Sequence, residues 1–355
     1  MTIVELFAGG GGSSFGLHRA GFRSLAMVEW DKHAAATLRA AAKAGRLTGE
    51  VIEGDVCGVD WTPYAGVDAV WASPPCQAWS TAGKRLGAKD ERNGWPWTFD
   101  ALDAIKPAWF MAENVPGMLC YAGDCAGKNA PNCCPAHYFY GYVIPECERR
   151  FASVQWTVID AADLGVPQRR HRVYLVCGPR PIAWPKATHG DPGELRQLGL
   201  FGDGRKPWVS VREALGLGRE RVIGGGTRGH GMAEWSPNDV TDSPAAIINA
   251  MFSSTAAHYV CTDPSRILDA DTVAPTTGTR RSSGVQRASD VLYGGAGIRR
   301  LTVAECQILQ AWPSDWPLQG GITAGYKIVG NGVCPPVATA IGRAVLKSAA
   351  RASDG

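Results

Sequence analysis

The sequence predicts an α/β protein with a parallel sheet and a small inserted domain, on three observations. Short apolar runs alternate with helix-like stretches up to about residue 178, which is the order of βαβ units. From 179 to 298 the chain turns rich in Gly, Pro, Ser, Thr and Arg and lacks strong helical periodicity, as in GGGTRGHG and TRRSSGVQR. Regular patterning then returns. At 355 residues the chain exceeds the size at which one core usually divides. Two domains are expected: a discontinuous one over 1–178 plus 299–355, and an inserted one over 179–298.

Taken in order, IVELF, SLAMVEW, VDAVWAS, AWFMAEN and RVYLVCG read as strands, and DKHAAATLRAAAKAG as a helix. LTVAECQILQAWP and PPVATAIGRAVLKSAA read as helices, the last returning to pack beside the N-terminal glycines. Hydrophobic residues make up 45% and charged residues 19%, an ordinary globular balance. No apolar run is long enough to cross a membrane, and the strand-like TIVELF at the start is no signal peptide, so a soluble cytoplasmic protein is expected. Eleven cysteines in such a chain suggest reduced thiols, metal ligands or catalysis rather than disulfides. The formal charge of +3 neither demands nor excludes nucleic acid.

The stretch ELFAGGGGSSFGL, residues 5–17, runs from a strand through four glycines into a helix. Glycines let the backbone turn tightly against a ligand, and the helix start favours an anionic group. The next strand ends in VEWD, where the Glu29 carboxylate can accept from both ribose hydroxyls of a nucleoside, with Trp30 beside it. The following unit ends in EGDV, where Asp55 can accept from an adenine amino group; as an alternative, Glu29 and Asp55 are helix N-caps. Three such strand ends describe a nucleoside pocket at the carboxyl edge of the sheet. In ASPPCQAWS, Pro74 and Pro75 end a strand and present Cys76 on a stiff turn. Glu113 and Asn114 in AENVPGML, and Gln168, Arg170 and Arg172 in QRRHRVYLV, stand at or beside further strand ends and converge on the same edge.

With these motifs in this order, ending in GNGVCPPVA at 330–338, the sequence resembles the cytosine-C5 DNA methyltransferases over nearly the whole chain apart from 179–298. The resemblance implies a Rossmann-like class I methyltransferase sheet, with 179–298 as a target-recognition domain. It implies S-adenosyl-L-methionine as cofactor, bound by Phe7, Ala8, Gly9, Gly11, Glu29, Trp30, Asp55, Val56, Pro75, Asn331 and Gly332. It further implies Cys76 as nucleophile at C6 of a flipped cytosine in double-stranded DNA, Glu113 at N3, Arg172 at O2 and Arg170 as structural or phosphate support. A thiol with pKa about 8.5 is only a few per cent ionised at neutral pH, so a positive neighbourhood or helix start is expected near Cys76. A carboxyl kept protonated in a dry site suits Glu113. A monomer, with a cognate restriction endonuclease as possible partner, is the expected assembly. Ser73 before the prolines, Ala78 and Trp79 after Cys76-Gln77, and Cys334 in place of a proline depart from the family pattern without removing a catalytic group.

Residues 80–97, basic at Lys84, Arg85, Lys89 and Arg92, read as a loop closing over the flipped base. Arg228, Arg280, Arg281, Gln286 and Arg287 are candidates for phosphate or base contacts. A further segment holds Cys120, Cys125, Cys133, Cys134, His137 and Cys147. Its spacing matches no common zinc finger, so it reads as ordinary thiols in a surface elaboration and no metal is expected; one zinc ion is the alternative. Three other functions compete. An RNA cytosine-C5 methyltransferase predicts a Cys-Phe-Thr motif, which the chain lacks. A folate-dependent pyrimidine methylase fits poorly with Glu29 and Asp55, and an inactive DNA-binding module fits poorly with intact Cys76, Glu113 and Arg172.

Overall fold

The computed structural model describes residues 1–75, 93–120, 134–198, 203–216 and 302–351, together with short backbone strands between 221 and 300. Its centre is a seven-stranded sheet formed by β1 (Thr2–Leu6), β2 (Arg23–Glu29), β3 (Glu50–Glu53), β4 (Ala69–Ala72), β5 (Trp109–Asn114), β6 (Ser153–Asp160) and β7 (His171–Gly178), in the order β3-β2-β1-β4-β5-β7-β6. β1 to β5 pair in parallel, whereas β7 runs antiparallel to both β5 and β6. The sheet is therefore mostly parallel, as the βαβ pattern predicts, with its antiparallel pairing confined to one edge. β6 escaped sequence reading because Trp156 and Val158 are exposed on it, so it lacks the apolar run of a buried strand.

The buried strands pack two layers from alternate residues. On β4, Val70 and Ala72 join one core cluster with Phe99, Leu102 and Phe110, while Ala69 and Trp71 join another with Trp109, Val337 and Ile341. Helix α1 (Gly12–Ala20) follows β1, α2 (Lys32–Lys43) follows β2, and α3 (Trp95–Ile105) precedes β5. Asp31 caps α2 through its side chain. α3 begins at Trp95 with Pro96 in its first turn, where a missing N–H costs nothing, so the expected loop ends before 95. The rest of that loop, 76–92, lies outside the described residues.

The C-terminal helix, Pro335–Ala350, lies against α1. Gly16 permits this closeness, since a Cβ there would stand 2.5 Å from the Pro335 carbonyl oxygen. A helix that sequence reading missed, Gly321–Asn331, leads into it. Packing onto this body continues past residue 178. Ser348 donates to the Pro181 carbonyl at 3.0 Å, Ile182 joins the core, and Val211 is buried with Cys306, Leu309 and Val329. Between 221 and 300 the backbone forms an antiparallel four-stranded sheet from Arg221–Gly224, Ile267–Leu268, Asp290–Gly294 and Gly297–Arg300. A separate pair places Arg281 opposite Gln286, while Arg228, Arg280 and Arg287 lie outside the described residues.

Candidate active site

The strand order reverses between β1 and β4, and in open α/β sheets ligands bind at the carboxyl ends flanking such a reversal. The turn Phe7–Gly11 leaves β1 there and Ser73–Pro75 leaves β4 beside it. Ser73 N–H donates to the Leu6 carbonyl at 3.3 Å, which ties the two exits together. Phe7, Gly9 and Gly11 hold positive φ values of 57°, 58° and 94°. A Cβ on Gly9 would meet nothing within 4 Å, so open space faces that position.

Glu29 ends β2 and closes this turn. Its two carboxylate oxygens accept from Gly9 N–H and Asp31 N–H, each at 2.8 Å. Each oxygen keeps a lone pair, as a ribose diol needs. Burial raises the Glu29 pKa against these bonds. Trp30 next to it is 62% exposed and offers a free indole face. Asp31, not Glu29, is the helix cap. Burial pushes Asp31 upward, but bonds from Lys327, at 2.5 Å, and from Ala34 N–H hold it below the usual carboxylate range. Asp55 caps a short turn by accepting from Cys57 N–H at 3.1 Å, and the Cys57 thiol also bonds its carboxylate. The alternative cap role is therefore present at Asp55. Val56 has its side chain in the core and Ala8 is buried, so only their backbones can face a ligand. Asn331 is exposed, whereas Gly332 is buried. Open space at Gly9, a carboxylate with spare acceptor capacity and an exposed indole fit an S-adenosylmethionine nucleoside.

On the other side of the reversal, Asn114 at the end of β5 sends its amide N–H to the Pro74 carbonyl at 3.1 Å. Gly94, at the start of α3, abuts Pro75 so closely that a Cβ would stand 2.9 Å from its Cδ. Cys76 follows Pro75 and lies outside the described residues. Glu113 is buried, with Oε1 2.9 Å from Arg172 Nε. Desolvation raises its pKa; Arg172 and Arg170 pull the other way. A carboxyl that leans towards its neutral form beside a guanidinium can lend a proton to one ring position while the cation faces another.

Arg170 does something different. It is buried, and its Nη2 donates to the carbonyls of Gly330 and Gly332 at 3.1 and 2.8 Å. It braces the C-terminal motif to the start of β7 and stands behind the Glu113–Arg172 pair. Burial lowers its pKa to about 10, a value at which it stays charged at neutral pH. Gln168 on the same loop is fully buried and its side-chain amide has no hydrogen-bond partner among the described residues.

Asn114, expected at this edge without an assigned role, and two residues absent from the expected site, Glu5 and Trp316, have clear roles here. Asn114 fixes the Pro74 turn, and its position directly after Glu113 was the available signal. Glu5 is buried under the glycine turn and accepts from Ser13, Ser14 and Ser24; burial pushes it up to about 7. Trp316 donates to the Gly10 carbonyl at 2.9 Å, a contact across 306 residues that no local pattern reveals. In the cysteine-rich segment, Cys134 Sγ lies 3.0 Å from His137 Nδ1. Both Cys134 and Cys147 are buried, Cys147 in the main core with Cys177, so the expected surface elaboration is partly interior. Cys125 and Cys133 lie outside the described residues, and among the described residues no three potential ligands gather around a metal site.

Comparison with known proteins matches residues 1–189 and 233–347 to the model of the C-5 cytosine-specific DNA methylases. The type II methyltransferase M.NgoMIV of Neisseria gonorrhoeae is 29% identical over 354 residues, covering 98% of this chain and 97% of that protein. M.PspPI of a Psychrobacter species is 32% identical, over 98% of this chain and 79% of its own length. Among solved structures, the Dnmt2 methyltransferase of S. pombe superposes with a TM-score of 0.59 at 14% identity, over 98% of this chain and 99% of that one. A putative DNA modification methyltransferase encoded within an E. coli prophage gives 0.57 at 19% identity, over 98% and 99%.

Proposed function

The chain belongs to the C-5 cytosine-specific DNA methylase family, enzymes that transfer a methyl group from S-adenosylmethionine to C5 of cytosine in DNA, and we propose that it does so through a covalent adduct of Cys76. The supporting observation is the arrangement at the sheet reversal. Asn114 and Gly94 fix the Pro74–Pro75 turn that directly precedes Cys76 in the chain, and the Glu113–Arg172 pair stands on the neighbouring strands β5 and β7.

Cytosine C5 is a weak nucleophile. Thiolate addition at C6 breaks the ring conjugation and gives C5 enamine character, while charge builds on N3 and O2. Glu113, kept towards its neutral form by burial, donates at N3, and Arg172 takes O2. The sulfonium cofactor supplies an electrophilic methyl group. Loss of the C5 proton and elimination of Cys76 then restore the aromatic ring and the thiolate. Glu29, Trp30 and Asp55 bind the nucleoside part, and Arg170 secures Gly332 behind the site.

None of this chemistry is possible on a stacked base, so the cytosine is rotated out at a cost of a few kcal/mol. Closure over the flipped base falls to the loop expected over 80–97, shortened by the start of α3 at Trp95, and DNA recognition to the inserted region 179–298, of which Val211 packs on the catalytic body. The type II class of the relatives supports a cognate restriction endonuclease as partner and a cytoplasmic setting, and a monomeric enzyme is part of the same proposal. No helix of the described residues is long and apolar enough to cross a membrane.

The test is mass spectrometry of nucleosides from DNA of a methylation-free bacterial host expressing the protein or its Cys76→Ala variant. The expected result is 5-methylcytosine with the intact thiol alone. Equal amounts from both would remove Cys76 as nucleophile, and none from either would remove the DNA reaction.

A further inference from the structure

The glycine run divides into two functions. Gly9 alone faces open space, whereas the next three glycines form a socket for the C-terminal segment. A Cβ at Gly10 would come within 2.1 Å of Ile328 Cγ2; at Gly11, within 3.0 Å of Trp316 Cζ2; and at Gly12, within 2.6 Å of Trp312 Cζ2. Trp312 also presses on Gly332, where a Cβ would stand 2.3 Å from the same ring atom. The two indoles pack edge to face with centroids 5.9 Å apart, and Phe15 of α1 closes on Trp316 at 5.1 Å. One polar contact joins this socket to the turn: Trp316 Nε1–H donates to the Gly10 carbonyl at 2.9 Å, and both groups are buried.

From this geometry we infer that Trp316 is a positioning residue for the cofactor. The two-residue segment Gly9–Gly10 is held at both ends. Gly9 N–H is fixed on Glu29, the ribose acceptor, and the Gly10 carbonyl is fixed on Trp316. The Gly10–Gly11 peptide has one other bond, from Gly11 N–H to the Ala8 carbonyl at 3.2 Å, so without Trp316 it is held on that side alone, and glycine visits many backbone conformations. Movement there would shift the adjoining Gly9, whose N–H orients Glu29, and the Gly10 carbonyl would lose its buried partner. The ion pairs Lys327–Asp31 and Arg46–Asp315 brace the same C-terminal segment against α2 and its exit, so the tryptophan acts from a fixed platform. Trp312 is the internal control: it packs on the same glycine run, but its Nε1 has no hydrogen-bond partner among the described residues.

The inference rests on the cofactor assignment above, and the test separates the two. Calorimetric titration with S-adenosylhomocysteine is run on the wild type, Trp316→Phe and Trp312→Phe, with KM for S-adenosylmethionine and kcat measured in parallel. The expected result is binding to the wild type and about tenfold weaker binding to Trp316→Phe. KM should rise by the same factor while kcat at saturating cofactor stays within twofold, and Trp312→Phe should lose less affinity. A merely structural role would lower the fraction of binding-competent protein and leave KM alone. Affinity of Trp316→Phe within twofold of the wild type, or equal losses in both variants, would overturn the inference. Absence of binding to the wild type would overturn the cofactor assignment and the inference with it. Should Trp316→Phe fail to fold, benzothienylalanine placed at 316 keeps the ring and removes only the N–H, and the same tenfold criterion applies.

Discussion

The two halves of the reactive sheet edge use the same residue type in opposite ways. Beside β1 and β2, Glu29 is met only by neutral backbone N–H groups and keeps acceptor capacity for a ligand. Beside β5 and β7, Glu113 is buried against Arg172, with Arg170 behind it, and burial favours a retained proton. Burial raises both pKa values, so the partners set the proposed roles. Both Glu29 oxygens already accept from backbone N–H groups and would accept further from a ligand, whereas Glu113 meets Arg172 through Oε1 and would donate from its protonated form. What surrounds each glutamate, more than its position at a strand end, decides its role.

The comparison is broken most directly at Glu113. Glu113→Gln keeps the shape and removes the mobile proton, so kcat should fall about a thousandfold with the KM for DNA little changed. In the wild type, kcat should decline as pH rises through the raised Glu113 pKa, since the donor form is lost there; the residual activity of the variant should lack that limb. A variant within tenfold of wild type, read by tritiated methyl incorporation, would cancel the contrast between the two halves.

Glu5 sharpens it in stability. This buried acid has its pKa raised to about 7 by desolvation, against the ordinary 4.5. For an acid raised on folding, the stabilising contribution is complete below the unfolded pKa and is lost as pH rises through the folded one. The wild type should therefore lose about 3 kcal/mol between pH 4.5 and 8 relative to Glu5→Gln. Urea melts across that range check it; parallel curves for the two proteins would refute a buried, uncompensated carboxylate.

Glu29→Ala should weaken S-adenosylhomocysteine binding about 30-fold, through loss of charge-assisted bonds worth about 2 kcal/mol. Its kcat at saturating cofactor should change little, which is the opposite pattern to Glu113→Gln. Trp30→Ala should have the smallest effect, about fivefold in the same titration, as expected for one exposed stacking face. An effect of Trp30→Ala exceeding that of Glu29→Ala would reverse the assigned order of importance.

Much of this edge was legible in the sequence because the chemistry lies in short ordered motifs. Glu29, Glu113 and Arg172 each stand at or beside the end of a buried strand, and buried parallel strands announce themselves as apolar runs. Arg170 was harder to read, because an arginine two residues from Arg172 on a strand shares its spacing but not its environment. β6 was invisible because an edge strand with exposed Trp156 and Val158 has no apolar run to recognise. Asn114 lay inside a recognised motif, yet its partner, the Pro74 carbonyl, is 40 residues away.

By itself the sequence determined the α/β class, the order of the motifs and the placing of Glu29 and Glu113 at strand ends, because these depend on local periodicity and residue chemistry. Only the tertiary structure decided that Arg170 braces Gly330 and Gly332, that β7 runs antiparallel between β5 and β6, and that three of the four glycines serve a tryptophan socket. These depend on which distant segments meet. A glycine reads the same in sequence whether a ligand or an indole ring occupies the space its missing Cβ leaves, and only packing tells the two apart.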